Sequence, residues 1–337
     1  MLGSCWMLWN QFWSLHLVIQ VAVVCSIGYA LYVIRCYFAG GVCHSRALLH
    51  GKTVIVTGSN CGIGKETAMD MANRGARVIL ACRNDATGEA AANDIRRKTG
   101  NQNVETWKLN LASLLSVRRF AEKVLAQEER LDILINNAGV MGCPQWETED
   151  GFEMQFGVNH LGHFLLTNLL LDLLKKSASS RIINVSSMLH SKGKINFDDI
   201  HLTKNYEPIN AYCRSKLANV LFTRELHKRI IGTGVTVNAV NPGAVWTNLY
   251  RYFARTYPPL DFIIRYFGFL GVYFVKTSEE GAQTTIYCAV EESLRDTSGL
   301  FFSDCKPKEP AKQAKDDVVA KKLWDMSSDM VGLSRTL

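Results

Sequence analysis

Thr57-Gly58-Ser59-Asn60-Cys61-Gly62-Ile63-Gly64 lies directly between a run that reads as a strand, Thr53 to Thr57, and a stretch that reads as a helix. In that setting glycines permit a tight turn, and the backbone N–H groups at the helix start can meet a pyrophosphate. The same pattern also fits an ordinary strand-to-helix turn, so its partners decide. About 20 positions further on, a dinucleotide-binding fold places an acid for the ribose 2′-hydroxyl of NAD or an arginine for the 2′-phosphate of NADP. Arg83 holds that place, after Val78-Ile79-Leu80-Ala81-Cys82. Its guanidinium can pair with phosphate in a charge-assisted fork, which favours NADP(H). Asp85, two residues away, is the competing carboxylate that would serve NAD.

Outward from this loop, short apolar runs alternate with amphipathic stretches, as βαβ units do. Strands are expected at Thr53 to Thr57, Arg77 to Cys82, Val104 to Leu109, Leu131 to Ile135, Arg181 to Val185, Val235 to Val240 and Leu300 to Phe302, with helices between them. The fold class is therefore α/β: a Rossmann-type, doubly wound parallel sheet of about seven strands with helices on both faces. Residues 51–303 form this domain, with no internal repeat and no second domain. Residues 304–337 form a tail in which Lys306 to Lys312 read as a solvated connection and Val318 to Met330 as a closing amphipathic helix. Asn184-Val185-Ser186 matches a glycosylation triplet but falls in an expected buried strand, and is read as chance.

The chain has 337 residues, 47% of them hydrophobic and 20% charged, enough for one large core. Its formal charge of +7 sits in scattered Lys and Arg, with no arginine-rich or aromatic-interleaved patch, which argues against nucleic acid. Ten cysteines without C-x-x-C or framework spacing suit a reducing compartment. His160 and His163 have metal-like spacing but no third ligand nearby, so helix packing is preferred and no metal is expected. Met1 to Ile34 carries no charged side chain, and Phe12 to Ile34 is almost continuously apolar. That length crosses a bilayer of about 30 Å, so residues 1–38 read as a single membrane anchor and 39–50 as a linker. Trp6, Trp9 and Trp13 at one end and Tyr32 and Tyr37 at the other suit interfacial belts. Arg35, Arg46 and Lys52 follow the span and put the domain on the cytoplasmic side. A cleaved signal peptide is the alternative, but the basic leading region is missing and the apolar stretch is too long.

Tyr212 and Lys216 stand four apart, so on a helix both project from one face. A neighbouring ammonium can lower a phenol's pKa by about 1 to 3 units from its usual value of about 10, bringing it into use as an acid–base group.

Four motifs in order resemble the short-chain dehydrogenase/reductase family across roughly Gly51 to Phe302. They are the glycine loop, Asn136-Asn137-Ala138-Gly139, Tyr212-Cys213-Arg214-Ser215-Lys216 and Pro242-Gly243-Ala244-Val245-Trp246-Thr247. Gly157-Val158-Asn159-His160-Leu161-Gly162-His163-Phe164, Ser215-Lys216-Leu217-Ala218-Asn219-Val220 and Ser303-Asp304-Cys305 resemble the membrane-anchored, NADP-preferring retinol dehydrogenases within it. The resemblance implies that Tyr212 exchanges the substrate proton, and that Lys216 tunes it and holds the nicotinamide ribose. Ser187 would bind the substrate oxygen, with Ser186 the competing candidate, and Asn159 would hold a water relay behind Lys216. It also implies cofactor contacts from Gly58, Ser59, Asn60, Cys61, Gly62, Ile63, Gly64, Arg83, Asn110, Leu111, Asn137, Val245 and Thr247, besides Tyr212 and Lys216. Asn110 departs from the family's usual Asp, and the stretch from Met188 to Asn210 is longer than in the shortest members, so it is expected to fold over the active-site rim.

Residues 248–276 read as a greasy substrate lid, rich in rings from Tyr250, Tyr252 and Phe253 through Tyr257, Phe262, Tyr266, Phe267, Phe269 and Tyr273 to Phe274, although for any single ring core packing of a helical insertion fits equally. Arg251, Arg255 and Arg265 could meet lipid headgroups. With the anchor, this favours hydride transfer between NADP(H) and a retinoid-like alcohol or aldehyde at the endoplasmic reticulum membrane, with a mitochondrial membrane as the alternative. A prenyl or sterol carbonyl is the near alternative substrate. A non-catalytic NADP-binding scaffold and a lipid carrier are the other classes, and homo-oligomerisation stays open.

Overall fold

The computed structural model describes residues 2–252 and 274–333, with side chains from His16 onward. Along the chain run α1 (Leu2–Ala39), β1 (Thr53–Thr57), α2 (Gly62–Asn73), β2 (Arg77–Cys82), α3 (Asp85–Thr99), β3 (Val104–Lys108), α4 (Leu114–Gln127) and β4 (Ile133–Asn136). Then come α5 (Met154–Phe156), a π-helical turn (Gly157–Leu161), α6 (Gly162–Leu169), α7 (Leu171–Lys176), β5 (Ser180–Val185), α8 (Pro208–Arg229), β6 (Val235–Asn241), α9 (Ser278–Val290), β7 (Phe301–Ser303), β8 (Lys306–Pro307) and α10 (Asp317–Met330).

The strands form one sheet in the order β3-β2-β1-β4-β5-β6-β7-β8, parallel except for the β7–β8 pair. All five residues of Thr53-Val54-Ile55-Val56-Thr57 are buried. Strands covered on both faces read as unbroken β-branched runs for this reason. Alternate side chains feed two cores. Ile55, Ile79 and Leu134 face the layer built with α4, α6 and α8, while Val54, Val56, Val78 and Leu80 face the layer of α2, α3 and α9.

The connection after Asp304 is exposed, as expected, and within it Lys306 and Pro307 also pair antiparallel with Ser303 and Phe302 and make an eighth, edge strand. A proline is tolerated at an edge because no ladder donor is needed there, and two residues carry no periodicity to read. The stretch 39–50, read as a linker, is held to the domain: the Arg74 guanidinium donates to Ser45 O (2.9 Å) and Ala47 O (2.8 Å), and Gln283 Oε1 accepts from Cys43 N (3.0 Å).

Helix α8 is buried almost all round because it lies between the sheet and α10. Trp324 of α10 packs 4.9 Å from the Phe164 ring and 5.8 Å from that of Phe222. Its first turn is fixed by Glu207, whose carboxylate accepts from Ile209 N and Asn210 N ahead of Pro208 at the helix start. Asn184, of the glycosylation triplet, is buried and bonded to Asn136 and Thr223 (2.8 and 2.9 Å).

Candidate active site

Strands β1 and β4 end side by side where the strand order reverses, the place at which an open parallel sheet leaves a crevice. Thr57 closes β1, and its Oγ1 accepts from Asn137 N and Ala138 N, both at 2.9 Å. Asn137 Nδ2 returns a bond to Thr57 O at 2.8 Å. A Cβ on Gly64 would stand 2.5 Å from Gly58 O and 2.4 Å from Asn137 Nδ2, so loop, corner and helix meet only because that side chain is missing. Cys61 precedes α2 in extended conformation and supplies no capping side chain. The first-turn N–H groups of α2 are thereby left to a ligand, the ordinary arrangement for an anion at a helix N-terminus.

This turn lines a cavity of about 490 Å³ together with Arg83, Asn110, Leu111, Asn137, Tyr212, Lys216 and Thr247. Arg83 is exposed at its rim. Asp85 does not line it; its carboxylate lies 3.7 Å from Lys108 Nζ instead. A dinucleotide matches this donor set: uncapped backbone N–H groups for the pyrophosphate, a guanidinium at one end and an ammonium at the other.

The far end is built by β5 and α8. Lys216 Nζ donates to Val185 O (3.0 Å), the last carbonyl of β5, which Asn219 Nδ2 also reaches at 3.2 Å. Ser186 lines the cavity but bonds its hydroxyl to Lys216 O (2.8 Å), whereas Ser187 lies close enough to the Tyr212 phenol to favour its ionised form while its Oγ accepts from Leu189 N (3.2 Å). The two serines thus separate: one supports the helix, the other meets the tyrosine. Asn159 sits in the π-helical turn and is fully buried. Its Nδ2 donates to Val140 O and Ser215 Oγ (both 2.9 Å), and its Oδ1 accepts from Val140 N (2.8 Å). π-Turns inside helices frequently mark functional positions.

Electrostatics depart from the spacing argument. Lys216 Nζ lies 5.7 Å from the centre of the Tyr212 ring, as four-residue spacing requires. Burial nevertheless pushes the phenol up from its usual value, with the Ser187 hydrogen bond opposing, and pushes the ammonium down to about 8. Sequence spacing predicts the approach of the two groups but not the loss of water around both, which penalises phenolate and ammonium alike.

His160 and His163 are buried and pushed down to about 3 and about 4 by burial, so both are neutral. His160 Nε2 bonds Ser327 Oγ (2.9 Å) and His163 Nε2 bonds Thr57 Oγ1 (2.8 Å), uses within the packing.

Among the residues the sequence assigns to the cofactor, Ser59 and Val245 do not line the cavity. Ser59 is fully buried with its hydroxyl on Val56 O (2.8 Å), and Val245 packs against Gly281. Asn110 lines it but spends its Nδ2 on Glu149 (2.9 Å). Sequence reading missed Asn84 and Thr87, which line the cavity near Arg83; Asn84 Oδ1 accepts from Thr87 N (2.9 Å) and starts α3, a capping signal visible in the sequence. It also missed Glu153, whose carboxylate forms a buried ion pair with Arg214 at 2.9 Å; no local pattern announces a partner 61 residues away. Of the expected lid, residues 248–252 and 274–276 are described. Arg251 lines the cavity with its guanidinium 4.7 Å from the Tyr252 ring centre. Phe253 to Tyr273, Arg255 and Arg265 included, lie outside the described residues, as do the side chains of Trp6, Trp9 and Trp13.

A doubly wound sheet with a glycine-rich crevice and a Ser–Tyr–Lys cluster at its end defines a nicotinamide-dinucleotide oxidoreductase. Residues 52–257 match the short chain dehydrogenase family, and the chain belongs to it. It is 52% identical to human (Homo sapiens) retinol dehydrogenase 13 over 325 residues, which cover 94% of this chain and 95% of that one. A crystal structure of an uncharacterized protein from Mycobacterium paratuberculosis superposes with a TM-score of 0.71 at 36% identity, covering 88% of this chain and all (100%) of the other. A short chain dehydrogenase from Escherichia coli CFT073 complexed with NADPH superposes with a TM-score of 0.60 at 26% identity, covering 77% and 99%.

Proposed function

We propose that this chain reduces an apolar aldehyde to its alcohol with NADPH and reverses the reaction with NADP, with all-trans-retinal and retinol as the foremost pair. The observation that carries the reading is the meeting of Tyr212 and Lys216 at one end of a cavity whose other end is an uncapped helix and Arg83, with Ser187 close to the phenol behind that wall. The retinoid assignment is supported by the relative named above.

When bound, the nicotinamide supplies or accepts the hydride. The chain's residues do the rest. Ser187 donates a hydrogen bond to the substrate oxygen and polarises it. Tyr212 gives its phenolic proton to that oxygen in reduction and takes it back in oxidation. Burial keeps the phenol protonated at neutral pH, the form reduction needs. Lys216, mostly charged at pH 7 with its pKa about 8, supplies the positive charge that favours the phenolate as the proton leaves. Asn159 fixes the floor of the site through Val140 and Ser215.

NADP over NAD is supported by Arg83 at the rim and by the distraction of Asp85 toward Lys108. The membrane reading is supported by His16–Ala39, 24 residues of mean hydropathy 2.3 with none of that apolar window buried, about 36 Å of helix against about 30 Å of hydrocarbon. The endoplasmic reticulum, with the domain in the cytoplasm, is the location proposed.

The test is the full chain in detergent, offered retinal, a polyprenal and a ketosteroid with NADPH and with NADH. Retinal turnover preferring NADPH is expected, with Tyr212→Phe slower by about 10²–10⁴ while NADPH binding persists. Inactivity on all three substrates would reject the reading, and full activity of Tyr212→Phe would remove the tyrosine from the chemistry.

A further inference from the structure

The contacts around the end of α1 say how the domain sits relative to the apolar helix. Arg35, in the last turns of α1, makes an ion pair in which its Nη2 reaches both carboxylate oxygens of Glu280 in the first turn of α9. Glu280 is itself fixed, since Thr277 and Glu280 form a reciprocal cap at the start of that helix. Three residues on, the Phe38 ring packs edge-on against Phe274 at 5.3 Å. Gly40 and Gly41 then pass so close to Lys276, Asp304 and Cys305 that a Cβ on either would overlap them, at 2.3 Å from Asp304 Oδ1 and 2.1 Å from Asp304 O. Asp304 and Cys305 both adopt left-handed backbone (φ 53° and 56°) to make this seat, and Lys276 Nζ closes it on Asp304 at 2.6 Å. The join between helix and domain is therefore clamped on successive turns rather than tethered.

Helix rise is about 1.5 Å per residue, so Arg35 lies about 4.5 Å further back along the apolar helix than Phe38. The start of α9 is thus level with the last turn of the span and not beyond it. Beside it runs a second segment: Val245 bridges Lys276, and Trp246 N donates to Lys276 O at 2.9 Å. Trp246 and Phe274, large apolar side chains on these paired segments, are 55% and 51% exposed. Trp246 adjoins Thr247, which lines the cavity.

We propose that the catalytic domain rests directly on the bilayer, with Trp246 and Phe274 inserted at headgroup depth, so that the cavity opens at the lipid surface. The occupant of the exposed patch is the bilayer itself, because the patch continues from the span through the Phe38–Phe274 contact. Tryptophan at that level fits the interfacial preference of its ring. The proposal rests on reading α1 as a membrane span. It gives an apolar substrate a route from lipid to cavity.

The experiment uses the full chain in phosphatidylcholine vesicles, with and without bromine on the acyl chains, comparing wild type with Trp246→Phe. The fluorescence difference between the two proteins isolates Trp246 from the other tryptophans. Insertion predicts that bromolipid lowers this difference by roughly half or more, as for a ring about 5–10 Å into the interface. An unquenched difference, with the protein floating with its vesicles and resisting alkaline extraction, overturns the proposal while leaving the span intact. Protein that fails to float overturns the span reading and this proposal with it.

Discussion

Lys216→Met should make the protein more stable at neutral pH while removing its activity. Lys216 is buried, and desolvation alone brings its pKa from 10.5 to about 8. At about 1.36 kcal/mol per pH unit, keeping the ammonium charged in the folded state costs about 3 kcal/mol. Below pH 8 the lysine is protonated whether folded or unfolded, so the whole penalty stands. Between 8 and 10.5 the unfolded chain holds a proton that the folded one has released, so wild-type stability rises with pH across that window. Methionine removes the penalty and forfeits the bond to Val185 O, worth about 1.5 kcal/mol or more for a charged donor. That carbonyl keeps Asn219 as a donor at 3.2 Å.

The net gain at pH 7 is therefore about 1–2 kcal/mol, a rise in Tm on the order of 2 to 6 °C. By pH 10 the gain falls to about zero, because the folded wild type has shed the charge and keeps its hydrogen bond while only part of the penalty remains. Paired thermal unfolding of both full chains in one detergent at pH 7 and pH 10 reads the difference, in which other titrating groups cancel. A variant less stable than wild type at pH 7, or a gap unchanged between the two pH values, would refute the claim that Lys216 is held as a desolvated ammonium.

Arg83→Ala should lower the preference for NADPH over NADH in kcat/KM by about 10-fold or more, the loss of one charge-assisted phosphate contact. Asp85→Asn should leave that ratio unchanged; steady-state kinetics with both cofactors checks the pair. Arg214→Met strands the buried Glu153 carboxylate and should cost about 3–5 kcal/mol, measured by urea unfolding. Adding Glu153→Leu should recover much of that loss, since an apolar pair replaces a desolvated charge; failure to recover would show that the carboxylate's bonds to Gln155 N and Phe156 N matter more than its charge.

What was legible in the sequence is what depends on neighbours along the chain. The β1 and β2 bounds follow from their β-branched runs and match the expected residues, as does the turn whose glycines lie within a few positions of one another. The approach of Tyr212 and Lys216 needs only helical spacing. The direction of the Tyr212 shift was not legible, because it depends on burial of the phenol beside Ser187 and Tyr250, 25 and 38 positions away along the chain. Arg35–Glu280 and Glu153–Arg214 were invisible for the same reason: their partners are 245 and 61 positions apart. The docking of the linker onto the domain was invisible too, since Gly40 and Gly41 have no special meaning until Asp304 and Lys276 are placed beside them.

The Glu153–Arg214 pair also explains how the insertion between Ser187 and Tyr212 is tied to the chemistry. Arg214 belongs to the helical turn that carries Tyr212 and Lys216, and its guanidinium also donates to Ile200 O of the insertion. Tyr206, also of the insertion, donates to Cys143 O (2.8 Å) and accepts from Gln155 Nε2 (3.0 Å), while Gln155 Oε1 holds Gly142 N (3.0 Å). Cys143 and Met154 are on the cavity wall. One network therefore joins the wall, the insertion and the catalytic helix, and its charges are buried where rearrangement is expensive. A substitution anywhere in it should move the substrate wall and the tyrosine together, so losses in kcat and KM would appear jointly, whereas substitutions at the Arg83 end should alter cofactor choice alone.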